Sequence, residues 1–242
     1  MNNIIEFFGL PGSGKSTLAQ NLTIELGKKN ISYNNIVYNL SRKSKFYRIF
    51  YKSFILFKEL LKSPHKFFKQ ISLIYYTRQN NLKDLIKVTV NWFFITHIIK
   101  ENIANKDRKG YVILDQGIIQ AIWSINFNSG REVDYHEILK YTDIPDHIVI
   151  VNTNRENINK RLLARTEEQS RLGNYAGQKM NLVFNKARDG FYNIKDYLIN
   201  GDKSKDYNII SIENNNSLQL KENVKKLKIW FEKNNSKDVK RD

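Results

Sequence analysis

Short, solidly apolar runs alternate with helical patterns along most of the chain. Ile4 to Phe8 is apolar except for Glu6. After a glycine-containing stretch, Leu18, Leu22 and Leu26 recur at helical spacing, with Gly27 placed to close the helix. Tyr33 to Tyr38, Tyr111 to Leu114, His147 to Val151 and Tyr207 to Ile210 read as four further strands, separated by helical patterns. Strands this short and apolar are expected to be buried on both faces, and their alternation with helices implies right-handed crossovers. The pattern predicts an α/β fold of three layers around a five-stranded parallel sheet.

The alternation is broken between the second and third expected strands. Ser41 to Lys109 has no strand signal and reads as two or three helices, with a break at Pro64, where Ser63 is placed to cap and Pro64 to open a helix. We take 41–109 as a helical insert in a single domain spanning 1–242. Within it, Ser41 to Lys69 carries nine Lys/Arg and one acid, Glu59, interleaved with Phe46, Phe50, Phe54 and Phe57 at helical spacing. Two readings follow: a solvated basic face over an aromatic core stripe, or a helix that touches an anion or an anionic membrane surface.

Composition narrows the class without choosing the partner. With 242 residues, 41% hydrophobic and 12% aromatic, the chain has the apolar content of a globular domain. No cysteine is present, which excludes disulfides and thiolate metal sites. Polar Asn2 and Asn3 follow Met1 where a secretory signal would place basic residues, and the expected compartment is the cytoplasm, with peripheral membrane contact through the basic insert as the second reading. The net charge of +16 draws anions, among them nucleotides, phosphorylated metabolites, nucleic acid and acidic lipid.

One motif carries specific chemistry. Gly9-Leu10-Pro11-Gly12-Ser13-Gly14-Lys15-Ser16-Thr17 fits G-x-x-x-x-G-K-[ST] without a mismatch, between an expected strand and an expected helix. Its glycines free the backbone to turn successive N–H groups toward an anion at a helix N-terminus. Gly9, Pro11, Gly12, Ser13 and Gly14 thus form the expected phosphate cradle. Lys15 is expected to reach the β- and γ-phosphates of ATP, Ser16 to ligate Mg²⁺, and Thr17 to meet the α-phosphate.

Two further positions suit phosphoryl transfer. Asp115 ends the third expected strand, at the carboxyl edge of the sheet where ligands of open α/β folds collect. Its carboxylate can hold Mg²⁺ or take the proton of an acceptor hydroxyl; the alternative is a cap for a helix starting near Gly117. Arg161 and Arg165 lie four apart on one helix face and could clamp phosphoryl oxygens, or pair with Glu167 and Glu168.

Taken together, these pieces resemble the nucleoside and nucleotide kinase group of P-loop proteins, especially deoxynucleoside and thymidylate kinases. The run R-L-L-A-R-T-E-E-Q from Arg161 is similar to their R-x-x-x-R-x-R lid, which implies a lid over 165–176 with Arg171 in the third arginine's place. Ser211 to Ser217 looks like their adenine-holding loop, which implies base contacts from Asn214 and Asn215. Where the group carries an acid followed by Arg, this chain has Asp115-Gln116, so the resemblance implies an acceptor-site arginine from elsewhere, such as Arg42 or Arg78. The function implied is ATP- and Mg²⁺-dependent transfer of a γ-phosphoryl group to the hydroxyl or phosphate of a small-molecule acceptor. That acceptor would be a nucleoside, a nucleotide, or a sugar or lipid-linked saccharide. The rival is a nucleotide-dependent ATPase or switch acting on nucleic acid or a protein partner, although no tandem helicase motif or N-K-x-D sequence occurs.

Overall fold

The computed structural model describes residues 4–27, 40, 42–104, 112–145, 147–164, 177–201 and 207–238. Four parallel strands lie among them: β1 (Ile4–Gly9), β2 (Val112–Leu114), β3 (His147–Asn152) and β4 (Asn208–Glu213), in the spatial order β2-β1-β3-β4. The expected count of five is therefore corrected to four among the described residues; Tyr33 to Tyr38 falls outside them. The expected lid, 165–176, with Arg165 and Arg171, also lies outside them.

Side-chain alternation along the strands builds three layers. Ile4 and Phe8 of β1, Val112 and Leu114 of β2, and Ile148 and Ile150 of β3 face one side. They pack there under α5 (Ile118–Phe127) and α8 (Gly177–Asn200), whose Phe184, Ala187, Phe191, Ile194 and Leu198 recur at helical spacing. Ile5, Phe7, Ile113, Val149 and Val151 face the other side, against Leu18, Leu22 and Leu26 of α1 (Lys15–Gly27) and Leu227 and Phe231 of α9 (Ser217–Asp238). A strand buried on both faces has no room for an alternating polar side, so these segments read as continuous apolar runs.

Residues 45–104 form α2 (Lys45–Lys62), α3 (Pro64–Tyr76) and α4 (Leu82–Ala104). Pro64 opens α3, where its missing N–H costs nothing, and Ser63 precedes it without a side-chain capping bond. Glu59 of α2 ties this helix to α4: its Oε1 lies 2.9 Å from His97 Nδ1 and its Oε2 accepts from Lys100 Nζ at 3.3 Å. The His97 contact is the main reason the Glu59 carboxyl is held down at about 2. The aromatic core stripe expected in α2 is corrected: Phe46, Phe50, Phe54 and Phe57 are all exposed, and Ile55 is the apolar residue of α2 that is fully buried. The inward face of α2 carries Tyr51, Ile55, Leu56 and Leu60 against the core, together with Lys52 and Glu59, which find partners in α4.

The one polar residue in β1 also has a structural reason. Glu6 shares the face of Ile4 and Phe8, is completely buried, and meets the N-terminus of α5, where its Oε1 accepts from Gln120 N at 2.9 Å. Burial pushes its carboxyl up to about 7, against the opposing pull of the backbone N–H groups of residues 117–120. A Cβ on Gly117 would lie 2.3 Å from the Glu6 carboxyl carbon, so this glycine is what lets the helix end approach the acid. Between about pH 4.5 and 7 the folded chain keeps a proton that the unfolded chain has released, so Glu6 lowers stability as pH rises through that window. Glu6→Gln retains the acceptor for Gln120 N and removes the ionisation. Thermal melts at pH 5 and pH 8 should show the wild type losing stability relative to the variant, by on the order of 3 kcal/mol at the higher pH.

Candidate nucleotide and acceptor site

The motif residues form the loop between β1 and α1, at the carboxyl end of the sheet. Gly12 and Gly14 take φ of +86° and +89°, a region that side chains rarely enter. A Cβ on Gly14 would also come within 2.4 Å of Asn214 Nδ2. Ser13 N donates to Leu10 O at 3.1 Å, and Leu18 N to Gly14 O at 3.0 Å, which runs the turn directly into the helix.

The loop is locked from outside through its carbonyls. Ser13 O accepts from Asn214 Nδ2 at 2.8 Å, Thr153 Oγ1 at 3.1 Å and Arg161 Nη1 at 3.2 Å. Arg161 Nη1 also reaches Gly12 O at 3.3 Å, and its Nη2 donates to Asn214 O at 2.9 Å. Arg161 comes from α7 (Arg155–Leu163), which follows the short helix α6 (Tyr135–Leu139) and β3, and Asn214 from the turn between β4 and α9. Asn214 is buried and its own N–H donates to Asn152 O at 2.9 Å. Asn215 Oδ1 accepts from Asn154 N at 2.8 Å, joining the same turn to the start of α7. Holding carbonyls outward turns the intervening N–H groups inward, toward where a phosphate would sit.

Two cavities meet at this loop, and Gly14 and Thr17 line both. One, of about 410 Å³, is walled by Arg161, Asn214, Asn216, Ser217 and Leu220. The other, of about 310 Å³, is walled by Lys15 and Ser16 on the loop side and by Lys52, Lys87, Gln116 and Trp123 opposite. Lys15 Nζ donates to Gly9 O at 2.6 Å and to Leu10 O at 3.0 Å, so the ammonium is folded over the loop it would serve.

The second cavity contains cations that sequence reading did not pick out. Lys52 of α2 is mostly removed from water, with its Nζ 4.5 Å over the Phe94 ring, and burial first, then the charges of Arg48 and Lys87, push its ammonium down. Nothing in the local sequence marks Lys52 among the many insert lysines; only the packing of α2 on α4 brings it to Lys87. Arg42 is exposed just before α2, and Arg78, exposed with φ of +51°, lines a separate cavity with Tyr75, Tyr76 and Arg131. Neither arginine walls the cavities beside the loop.

Asp115 directly follows β2 and is buried, with Oδ1 lacking a partner among the described residues. It does not cap α5, whose N-cap is Gly117. An orphaned carboxylate oxygen at this sheet edge, with the Ser16 side chain on the cavity wall, suits a hard cation that takes few protein ligands and completes its shell with phosphate and water. Among the described residues no group of three or more His, Cys, Asp or Glu could hold a metal unaided.

A family model described as an AAA domain matches residues 4–186 of the chain. No curated protein sequence matches it significantly. Similar solved structures include deoxyadenosine kinase from M. mycoides with bound dCTP, at 15% identity and a TM-score of 0.44, covering 93% of this chain and 98% of that one. Thymidylate kinase from Candida albicans is similar at 17% identity and a TM-score of 0.49, covering 97% and 92%. Thymidylate kinase from Ehrlichia chaffeensis is similar at 18% identity and a TM-score of 0.46, covering 93% and 97%.

Gly14→Ala should abolish binding of a fluorescent ATP analogue, because its φ is closed to side chains and Asn214 occupies the space. Gly27→Ala, whose Cβ would meet nothing within 4 Å, should bind as the wild type does.

Proposed function

The chain belongs to the AAA-domain family, and we propose that its phosphate loop serves an ATP-dependent small-molecule kinase, which transfers the γ-phosphoryl group to a hydroxyl or phosphate acceptor. The observation that carries this reading is the pair of cavities sharing Gly14 and Thr17. A hydrolase needs one nucleotide pocket; a transferase needs a second pocket opening on the same phosphates. The 410 Å³ cavity suits the nucleoside end of ATP, with polar Asn216 and Ser217 for base edges and the Arg161 plane for stacking. The 310 Å³ cavity suits the acceptor.

Within this reading each residue has a defined task. Backbone N–H groups of residues 12–17 and the Lys15 ammonium bind the phosphates and disperse charge as the phosphoryl group moves. Mg²⁺ would be held by Ser16 Oγ and Asp115 and would neutralise β- and γ-oxygens. Asp115, buried beside the loop, takes or orients the proton of an acceptor hydroxyl. Arg161 keeps the cradle in shape through Ser13 O, and in that position it also borders the nucleotide.

The acceptor side favours an anion. Lys52 and Lys87 wall the same cavity, where burial first, and then the charges of Arg48 and Lys87, push the Lys52 ammonium down, and a negatively charged acceptor group offsets that crowding of cations. The cationic function that an arginine after Asp115 would supply thus passes to lysines of the insert, while Gln116 offers an amide to the same cavity. A nucleotide or a phosphorylated sugar, free or lipid-linked, fits this wall better than a neutral nucleoside.

An acceptor panel assayed with ATP tests the reading. Lys15→Ala should abolish turnover, and full activity in that variant would sink the assignment. Lys52→Ala should raise the acceptor KM by about tenfold or more with the ATP KM unchanged, as expected when one charge-assisted contact is lost. Hydrolysis stimulated by nucleic acid, with no acceptor phosphorylated, would instead identify a nucleotide-driven switch.

A further inference from the structure

Helix α2 has an inner apolar face, Tyr51, Ile55, Leu56 and Leu60, packed on the core, and a second apolar row that faces out. Phe46, Phe50, Phe54, Phe57 and Leu61 follow one another at spacings of three and four, which places them in one row, and they are 81%, 65%, 56%, 58% and 66% exposed. The opposite face carries Lys52 into the acceptor cavity and Glu59 to His97. The row from Phe46 to Leu61 is about 23 Å long at 1.5 Å per helical residue, more than a soluble surface leaves open without a partner.

Charge selects the partner. The row is bordered by exposed Lys43 and Lys45 at one end and by exposed Lys62 and Lys66 at the other. The sole acid from residue 41 to residue 69, Glu59, is buried and already engaged with His97 and Lys100. A second copy docked face to face would set each of these lysines against lysines of its own kind, on chains that each carry +16. A layer of anionic headgroups accepts both the phenylalanines and the lysines. Among the described residues no helix is long and apolar enough to cross a membrane, so the contact is with the surface.

We propose that the outer face of α2 docks the protein on an anionic lipid surface, with the phenylalanine row entering the headgroup boundary and the flanking lysines meeting lipid phosphates. Docking also brings the acceptor cavity to within about one helix diameter, ~10 Å, of the headgroups, because the same helix supplies Lys52. This last consequence rests on the kinase reading; the docking itself does not.

Vesicle flotation of the full chain tests the docking, using phosphatidylcholine alone and phosphatidylcholine with a one-third share of phosphatidylglycerol. The wild type should float with the mixed vesicles and not with the neutral ones, and the double variant Phe50→Ser/Phe54→Ser should partition about tenfold less or weaker still. Both residues are exposed, so the variant should melt at the wild-type temperature and bind the fluorescent ATP analogue unchanged. Failure of the wild type to float, or equal flotation of the variant, overturns the proposal. Self-association in sedimentation experiments without lipid, abolished in the variant, also overturns it by assigning the row to a second copy.

Discussion

The site depends on one backbone carbonyl. Ser13 O accepts from Asn214 and Thr153, which stand on two different strand-to-helix turns, and from Arg161 of α7. A phosphate loop is a run of peptide dipoles that must point their N–H ends inward, which is unfavourable until something takes up the carbonyls facing out. Here the parallel sheet does this. Because β1, β3 and β4 are neighbours running in one direction, the turns after all three open on the same edge, and donors on the second and third turns can reach the first.

The same constraint gives Arg161 a role that its spacing from Arg165 did not suggest. Its guanidinium is engaged with Gly12, Ser13 and Asn214 carbonyls, so its planar donors organise the cradle. Glu6 acts similarly on the other flank. Its buried carboxyl sits at the end of α5 and fixes the start of that helix, just after Asp115 and Gln116. A charged residue inside β1 costs desolvation, which appears as the raised Glu6 carboxyl, and the backbone N–H groups of α5 offset part of it.

The insert helices set the character of the second cavity. α2 packs with Tyr51, Ile55, Leu56 and Leu60 toward the protein, which places Lys52 over Phe94 and near Lys87 and leaves the phenylalanine row outside. Helical spacing alone predicts such a row equally well as core or as surface, since periodicity says which residues share a face and not what the face meets. The core reading failed because the opposite face carries a competing apolar set, Tyr51, Ile55, Leu56 and Leu60, along with Lys52 and Glu59, which have specific partners in α4, and a helix cannot bury both faces against one neighbour.

The sequence by itself determined the parts whose physics is local. Continuous apolar runs mark β1, β2 and β3, which are buried on two faces, and the half-exposed edge strand β4 also stands where its run lies, all four within one to three residues. The glycines and Lys15 mark the phosphate loop because only that composition permits φ near +90° at Gly12 and Gly14 beside an anion. Pro64 marks the opening of α3 through its missing N–H. Tertiary structure alone decided which of many lysines walls the cavity beside the loop, that Asn214 and Thr153 hold the loop from turns far along the chain, and that Glu6 meets α5. These depend on contacts between elements distant in sequence, where the energy lies in burial and in hydrogen bonds across the sheet edge, and no local pattern records which partner each side chain will find.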